Sequence, residues 1–316
     1  PVAFFLHAHV QAHRFVVLHA VAVDKALALA DAVGPRSDFR AHFRFGQREQ
    51  FFEGFENRFF AVALDHFLEA PLAQARRPHL AAQVTIRGSF DRFHEDLDTN
   101  VMGTARLLKA VDHRQVKWFT LASSMAIYAD ADSPRPIDES HRKRPLSPYG
   151  VGKLAAEDVS QQILEARGIP FTATRYFNTY GPGQTYTPYV GVLTIFITRL
   201  LRGESITIFG DGQQQRDFIH VSDIVAGTKA APGRPPGRYN LGTGRGTSLN
   251  QLAAMVLAKL APDQKPAHAD AQTGELRFSV ADIGAARRAL GFSPARSLQQ
   301  DLDDVIAWVR EREVAG

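Results

Sequence analysis

Val116-Lys117-Trp118-Phe119-Thr120-Leu121-Ala122-Ser123-Ser124 reads as a buried strand that closes on two hydroxyls. In open α/β sheets, ligands gather outside the carboxyl ends of the strands, so a strand ending in two hydroxyls marks a candidate site. A Pro- and charge-rich loop runs on through Pro145, and Ser147-Pro148-Tyr149-Gly150-Val151-Gly152-Lys153 follows. Ser147 suits the N-cap of a helix and Pro148 its first residue, which sets Tyr149 in the first turn and Lys153 one turn later. Residues four apart share a helix face, so a phenol and an ammonium can act on one ligand. A free phenol ionises near ~10, and bringing it to about 7 takes roughly 4 kcal/mol. A lysine cation and the positive end of a helix both act in that direction. Tyr149 is therefore a candidate acid/base for a sugar or alcohol hydroxyl. The spacing alone arises by chance on exposed helices; the strand-end serines make it a constellation.

Outward from this pair the chain alternates. Residues 100–112 read as a helix before the strand, and 154–167 carry the Tyr149 helix on to the stop signal Gly168-Ile169-Pro170. Phe171-Thr172-Ala173-Thr174-Arg175-Tyr176-Phe177-Asn178 is the next strand, halted by Tyr180-Gly181-Pro182-Gly183. Strand–helix–strand alternation predicts a parallel sheet with crossover helices. Beyond residue 180 the pattern is mixed. Helices are expected near 191–202, 222–231, 249–261 and 298–313, and short strands near 205–209 and 217–221.

With 316 residues, 22% charged and 45% hydrophobic, the chain has the composition of an ordinary globular protein. It contains no cysteine, which excludes disulfides and thiolate metal sites and suggests a reducing cytoplasm. Apolar runs fall well short of ~18 residues, so no membrane span is expected, and Phe4-Phe5-Leu6 lacks the flanks of a signal peptide. The net charge of +4 is scattered, with no basic stripe for nucleic acid. His7, His9, His13 and His19 share no register with a carboxylate, so no metal site is expected. Gly242-Thr243-Gly244-Arg245-Gly246 reads as a structural turn rather than a phosphate loop, because the next long helix starts only near Leu249.

Residues 1–78 are atypical. They hold twelve Phe and six His but no Ile, Thr, Tyr, Trp or Met. Strands and turns need β-branched residues and glycines, and this stretch offers few; 21–33 and 49–68 are helical patterns of poor periodicity. Gly34, Gly46 and Gly54 lie too far apart to form a dinucleotide-binding turn.

From residue 79 the chain resembles the extended short-chain dehydrogenase/reductases, in particular the NAD-dependent epimerase/dehydratase group typified by UDP-glucose 4-epimerase. The resemblance is carried by His79-Leu80-Ala81-Ala82-Gln83, Asn100-Val101-Met102-Gly103-Thr104, Ala122-Ser123-Ser124, Tyr149-Gly150-Val151-Gly152-Lys153, Arg175-Tyr176-Phe177-Asn178-Thr179-Tyr180-Gly181-Pro182 and Arg216-Asp217-Phe218-Ile219-His220-Val221. It implies an α/β fold: a Rossmann-like doubly wound parallel sheet with a smaller mixed α/β C-terminal lobe. Residues 1–178 would form the NAD-binding domain and 179–316 the nucleotide-sugar lobe, with about 217–231 returning to the first. Ser124, Tyr149 and Lys153 would be catalytic, with Ser124 on the reacting sugar hydroxyl and Lys153 on the nicotinamide ribose. Leu80, Ala81, Ala82, Gln83, Asn100 and Tyr176 would line NAD, and Asn178, Phe209, Arg216 and Arg277 would hold the nucleotide diphosphate sugar. An arginine fork suits a diphosphate better than a lysine point charge does. Salt bridging to Asp217 or Asp223 is the structural alternative for Arg216, and strand-end packing is the expectation for Ser123.

The implied chemistry is transient oxidation of a UDP-sugar hydroxyl, with hydride returned to the other face of the keto-sugar. The implied form is a cytoplasmic homodimer built on residues of about 100–113 and 153–167. Dehydratases of the group place Asp and Glu just after the strand-end hydroxyl; Met125 and Ala126 stand there, which favours epimerisation. Decarboxylase and reductase readings, with NADP in place of NAD, stay open, as does a non-catalytic sugar-nucleotide module. The group's glycine loop, first strand and ribose-binding acid should fall within 1–78, and none is legible there. We read 1–78 as a wrong-frame or otherwise altered translation of that half. The test is whether another reading frame of the gene upstream of His79 encodes a glycine-loop half-domain.

Overall fold

The computed structural model describes residues 76–131, 133–184, 186, 191–271, 274 and 276–315. The expectations for the first 75 residues, including the missing glycine turn and the histidine-rich start, lie outside the described residues.

The described part is built on a parallel sheet. Its strands are β1 (Arg76–His79), β2 (Trp118–Ser124), β3 (Phe171–Tyr176) and β7 (Gly237–Leu241), in the spatial order β1-β2-β3-β7. Every residue of β2 is buried, as a strand covered on both faces requires. Helices α1 (Gly88–Asp91), α2 (Phe93–Leu97) and α3 (Gly103–Ala110) lie between β1 and β2, with a π-helical turn at Asp98–Met102 joining the last two. The helix expected from residue 100 is therefore the end of a helical path that starts at Phe93. Between β2 and β3 runs the long helix α4 (Pro148–Glu165), capped as its sequence predicts: the Ser147 hydroxyl accepts from the Gly150 N–H, and Pro148 opens the first turn. Such a cap contributes about 1 kcal/mol.

One face of the sheet packs on α3 and α4 through Leu108, Phe119, Leu121, Ala156, Leu164, Phe171 and Ala173. Along β7, Tyr239 and Leu241 pack instead with α6 (Val221–Ala230) and α8 (Gly284–Leu290) through Ile224, Ala286 and Leu290.

The remaining elements form a second layered unit. β4 (Asn178–Tyr180), β6 (Gln215–His220) and β10 (Phe278–Ser279) pair in parallel, and β8 (Gly246–Ser248) runs antiparallel to β6. A small ladder joins β5 (Thr207–Phe209) to β9 (Ala267–Ala269). Helices α5 (Val192–Leu201), α7 (Leu249–Leu260) and α9 (Leu298–Ala315) share a core that includes Phe196, Ile197, Leu252, Val256, Leu302 and Val305. The mixed elements predicted from the sequence thus fall within a few residues of their expected places. The glycine segment 242–246 is a turn held by a buried carboxylate. Asp217 accepts from the Thr243 N–H at 2.8 Å, the Thr243 hydroxyl at 2.6 Å and the Gly244 N–H at 2.8 Å, so these donors already serve a carboxylate.

Candidate active site

Ser124 ends β2, and the first turn of α4 packs directly against the residues that follow it. The approach depends on a missing side chain: a Cβ on Gly150 would stand 2.2 Å from the Ala126 carbonyl oxygen and 2.9 Å from Pro145 Cβ. Neither neighbour is the free end of a flexible side chain, so Gly150→Ala is expected to destabilise the fold by about 1–3 kcal/mol, read by urea unfolding. Ser89 fixes the same turn from the other side. Its hydroxyl accepts from the Tyr149 N–H at 3.1 Å and donates to the Ile86 carbonyl at 2.6 Å.

These contacts gather Ser124, Tyr149 and Lys153 at one wall of a cavity of about 580 Å³. All three are buried. The Ser124 hydroxyl hydrogen-bonds the Tyr149 phenol, which favours phenolate. Lys153 Nζ donates to the Ala122 carbonyl at 2.9 Å. Burial pushes the ammonium down to about 8, while the charges of Asp96 and Glu157 act in the opposite direction. The phenol does not behave as the sequence predicts. Burial drives Tyr149 well above its ordinary value, the Ser124 bond opposes this, and the Asp96 charge adds to it. Desolvation outweighs the expected help from Lys153 because the ammonium is itself buried and turned to a backbone carbonyl.

Leu80, Ala82, Tyr176, Asn178, Phe209 and Arg216 also line the cavity. The Tyr176 hydroxyl pairs with Thr228 Oγ1 at 2.8 Å. Asn178 Oδ1 is buried with no hydrogen-bond partner among the described residues, an orphan acceptor in a residue that lines the cavity. Phe209 carries the Arg87 guanidinium 4.8 Å above its ring. The Arg216 side chain is buried and donates to the Gln215 carbonyl at 2.9 Å. Asp217, one of the alternative partners expected for Arg216, is instead filled by the 242–246 turn. Ser123 is buried at the strand end and borders the cavity as well.

Four expected ligands stand elsewhere. Ala81, Gln83 and Asn100 are not among the described lining residues. Asn100 works as a clamp on the β1 turn: its Oδ1 accepts from the Gln83 N–H at 3.2 Å, and its Nδ2 donates to the Gln83 carbonyl at 3.1 Å. Arg277 is half exposed, bridges to Asp211 at 2.8 Å and does not line the cavity. Sequence reasoning missed Ser89, Asp96 and Glu157; none stands in a recognisable motif, and their importance comes from what they touch.

The family model described as "NAD dependent epimerase/dehydratase family" matches residues 78–242, just over half of the chain. The chain belongs to that family. The match begins where the sequence changes character, at Pro78 and His79. Among relatives, the UDP-glucuronate 4-epimerase of Thermodesulfobacterium geofontis is 32% identical, the alignment covering 74% of this chain and 72% of the relative. The Thermotoga maritima UDP-glucose 4-epimerase with UDP-glucose superposes with a TM-score of 0.71 at 34% identity, over 75% of this chain and 77% of that one. The Thermus thermophilus UDP-glucose 4-epimerase complex with NAD gives 0.68 at 28% identity, over 75% and 78%.

The donor set suits the nicotinamide end of NAD. A buried ammonium and phenol stand on one cavity wall, flanked by apolar Leu80, Ala82 and Ala122. Residues expected to hold the adenosine end lie outside those described. No group of metal-binding side chains occurs among the described residues, and no described helix is long and apolar enough to cross a membrane.

Proposed function

We propose that the chain is an NAD-dependent nucleotide-sugar epimerase that inverts C4 of a UDP-sugar of the glucose or glucuronate type. The observation that carries this reading is Ser124, Tyr149 and Lys153 meeting at one cavity wall beside Asn178 and Arg216. Ser124 orients the sugar hydroxyl, and Tyr149 takes its proton and later returns it. Lys153 holds a ribose hydroxyl and lends positive charge to the phenolate. NAD, when bound, supplies the hydride acceptor and donor. Asn178 and Arg216 engage the diphosphate, while Phe209 borders the nucleotide.

Dehydration is the poorer reading. Met125 and Ala126 follow Ser124, and among the described lining residues the one carboxylate is Glu204, bridged to Arg199 at 3.2 Å. In domain terms, we keep 1–178 as the cofactor half and 179–316 as the sugar-nucleotide lobe, with about 217–231 returning to the first; among the described residues, the pairing of β7 with β3 assigns 237–241 to the cofactor sheet as well.

A homodimer fits the same reading. Phe93, Met102 and Val151 expose about half their surfaces on the α2–α4 side, at 54%, 48% and 48%. Adding charge there with Val151→Arg is expected to yield a monomer in sedimentation; an unchanged species would refuse this interface.

A second reading, a non-catalytic sugar-nucleotide module, is favoured by the absence of a glycine turn within 1–78. The two are separated by C4 interconversion assays on UDP-glucose and UDP-glucuronate, together with measurement of NAD released on denaturation. Turnover with retained NAD supports the epimerase. UDP-sugar binding without NAD or turnover supports the module.

A further inference from the structure

The first turn of α4 holds its donors in a way that its own cap does not explain. A helix leaves its first backbone N–H groups without internal partners, and Pro148 contributes none. Ser147 serves two of the rest: its hydroxyl takes the Gly150 N–H, and its carbonyl takes the Val151 N–H at 3.0 Å. That leaves the Tyr149 N–H, on the residue that carries the phenol. Its acceptor is the Ser89 hydroxyl at 3.1 Å, 60 residues earlier in the chain. Ser89 is 1% exposed, so bulk water cannot replace it as the acceptor.

Ser89 is itself held. Its hydroxyl donates to the Ile86 carbonyl at 2.6 Å, and its N–H donates to the Thr85 carbonyl at 3.2 Å. Both bonds tie it to a segment whose Val84, Ile86 and Arg87 line the cavity. The Arg87 guanidinium rests 4.8 Å above the Phe209 ring of β5. Phe90 packs so closely on Gly274 that a Cβ there would come within 2.8 Å of its ring. On either side of Ser89 in sequence, the segment therefore meets residues of the sugar-nucleotide lobe. The Tyr149 N–H is thus fastened to a piece of the cavity wall and not to its own helix.

We propose that Ser89 is a positioning residue for the reaction: by holding the Tyr149 N–H, it fixes the backbone under the phenol against the 84–87 wall, beside Ser124. The inference rests on the reading of Tyr149 as the acid/base. Helix ends fray when their donors lack partners, and Tyr149 stands in the first turn, where fraying begins. A reacting group displaced by about 1 Å can lose most of its rate advantage. Ser147 alone steadies the residue after Tyr149; Ser89 steadies Tyr149 itself.

Ser89→Ala removes the acceptor, and two readouts test the proposal. Amide hydrogen exchange is followed by NMR in the whole chain without turnover, so its failure is distinguishable from a failure of the epimerase reading. Protection of the Tyr149 amide is expected to fall about tenfold relative to that of Ala156, in the middle of α4. A merely structural role would lower both alike and leave their ratio unchanged. In kinetics with UDP-glucose and UDP-glucuronate, kcat is expected to fall about tenfold with KM within about twofold, since Asn178 and Arg216 are untouched. Ser89→Thr, which keeps the oxygen, is expected to regain most of that kcat. If Ser89→Ala does not fold, Ser89→Cys keeps the shape, weakens the acceptor and must move both readouts in the same direction. An unchanged Tyr149 to Ala156 protection ratio, or a loss that falls on KM with kcat intact, overturns the proposal.

Discussion

Replacing Tyr149 with phenylalanine is expected to lower turnover of UDP-glucose by about 10²–10⁴-fold, the range a positioned acid/base contributes. The substitution deletes one oxygen and keeps the ring, so the close packing of Gly150 on Ala126 and the Ser89 bond to the Tyr149 backbone persist. The loss should fall on kcat, with KM changed only a few-fold, because the diphosphate contacts assigned to Asn178 and Arg216 are untouched. The pH dependence follows from the same environment. Burial and Asp96 hold the phenol above its ordinary value, so phenolate is the minor form near neutrality. On the acid limb the wild-type rate rises with pH as that fraction grows, and the variant loses this limb. Steady-state kinetics across pH would read both effects, and equal activity in the two proteins removes Tyr149 from the mechanism.

The largest effect on stability is expected at Glu157, one helical turn beyond Lys153. Its carboxylate is 0% exposed and takes two bonds from Arg175, at 3.0 and 2.7 Å, and one from Arg238 at 3.2 Å. Arg175 is equally buried; its second branch donates to the Tyr128 hydroxyl at 2.8 Å, and that hydroxyl donates to Asn240 at 2.7 Å. Glu157→Gln strips the charge from one partner and leaves a buried guanidinium uncompensated. The cost is about 3–5 kcal/mol, seen in urea unfolding as a lower midpoint at unchanged slope. A loss under about 1 kcal/mol would mean that water or another group satisfies Arg175.

Glu157 also has a pH signature. Burial opposes its ionisation, but the hydrogen bonds and charge of Arg175 outweigh burial and hold the carboxyl below its ordinary 4.5. A depressed carboxyl binds fewer protons folded than unfolded. Its contribution is therefore complete above about 4.5 and is lost as pH falls through the folded value.

Much of this site is legible in the amino-acid sequence. Ser147, Pro148 and the stop at Gly168 delimit α4 because capping and chain termination are local chemistry, written in a few adjacent residues. The hydroxyls ending β2 mark a ligand site because strand burial shows in a short apolar run. Asp96 and Glu157 are not legible, since a charged residue on a helix normally faces water. Only the close approach of α4, allowed by Gly152 in one case and drawn to Arg175 in the other, makes them interior. Arg277 shows a different limit: its half-exposed guanidinium meets Asp211, a partner that no motif announces. The Tyr149 expectation fails for a physical reason too. Spacing tells which charges are near, whereas desolvation depends on everything else that surrounds them.

C4 inversion by transient oxidation at the Ser124–Tyr149–Lys153 wall is tested most directly by following an isotope. UDP-glucose deuterated at C4 is incubated with the protein and NAD in ordinary water, and the sugar products are analysed by NMR and mass spectrometry. The expected product is a C4 epimer that keeps its deuterium, because the hydrogen removed from C4 is the one returned to it. An epimer that has exchanged its deuterium for solvent hydrogen, or no epimer at all, contradicts this mechanism.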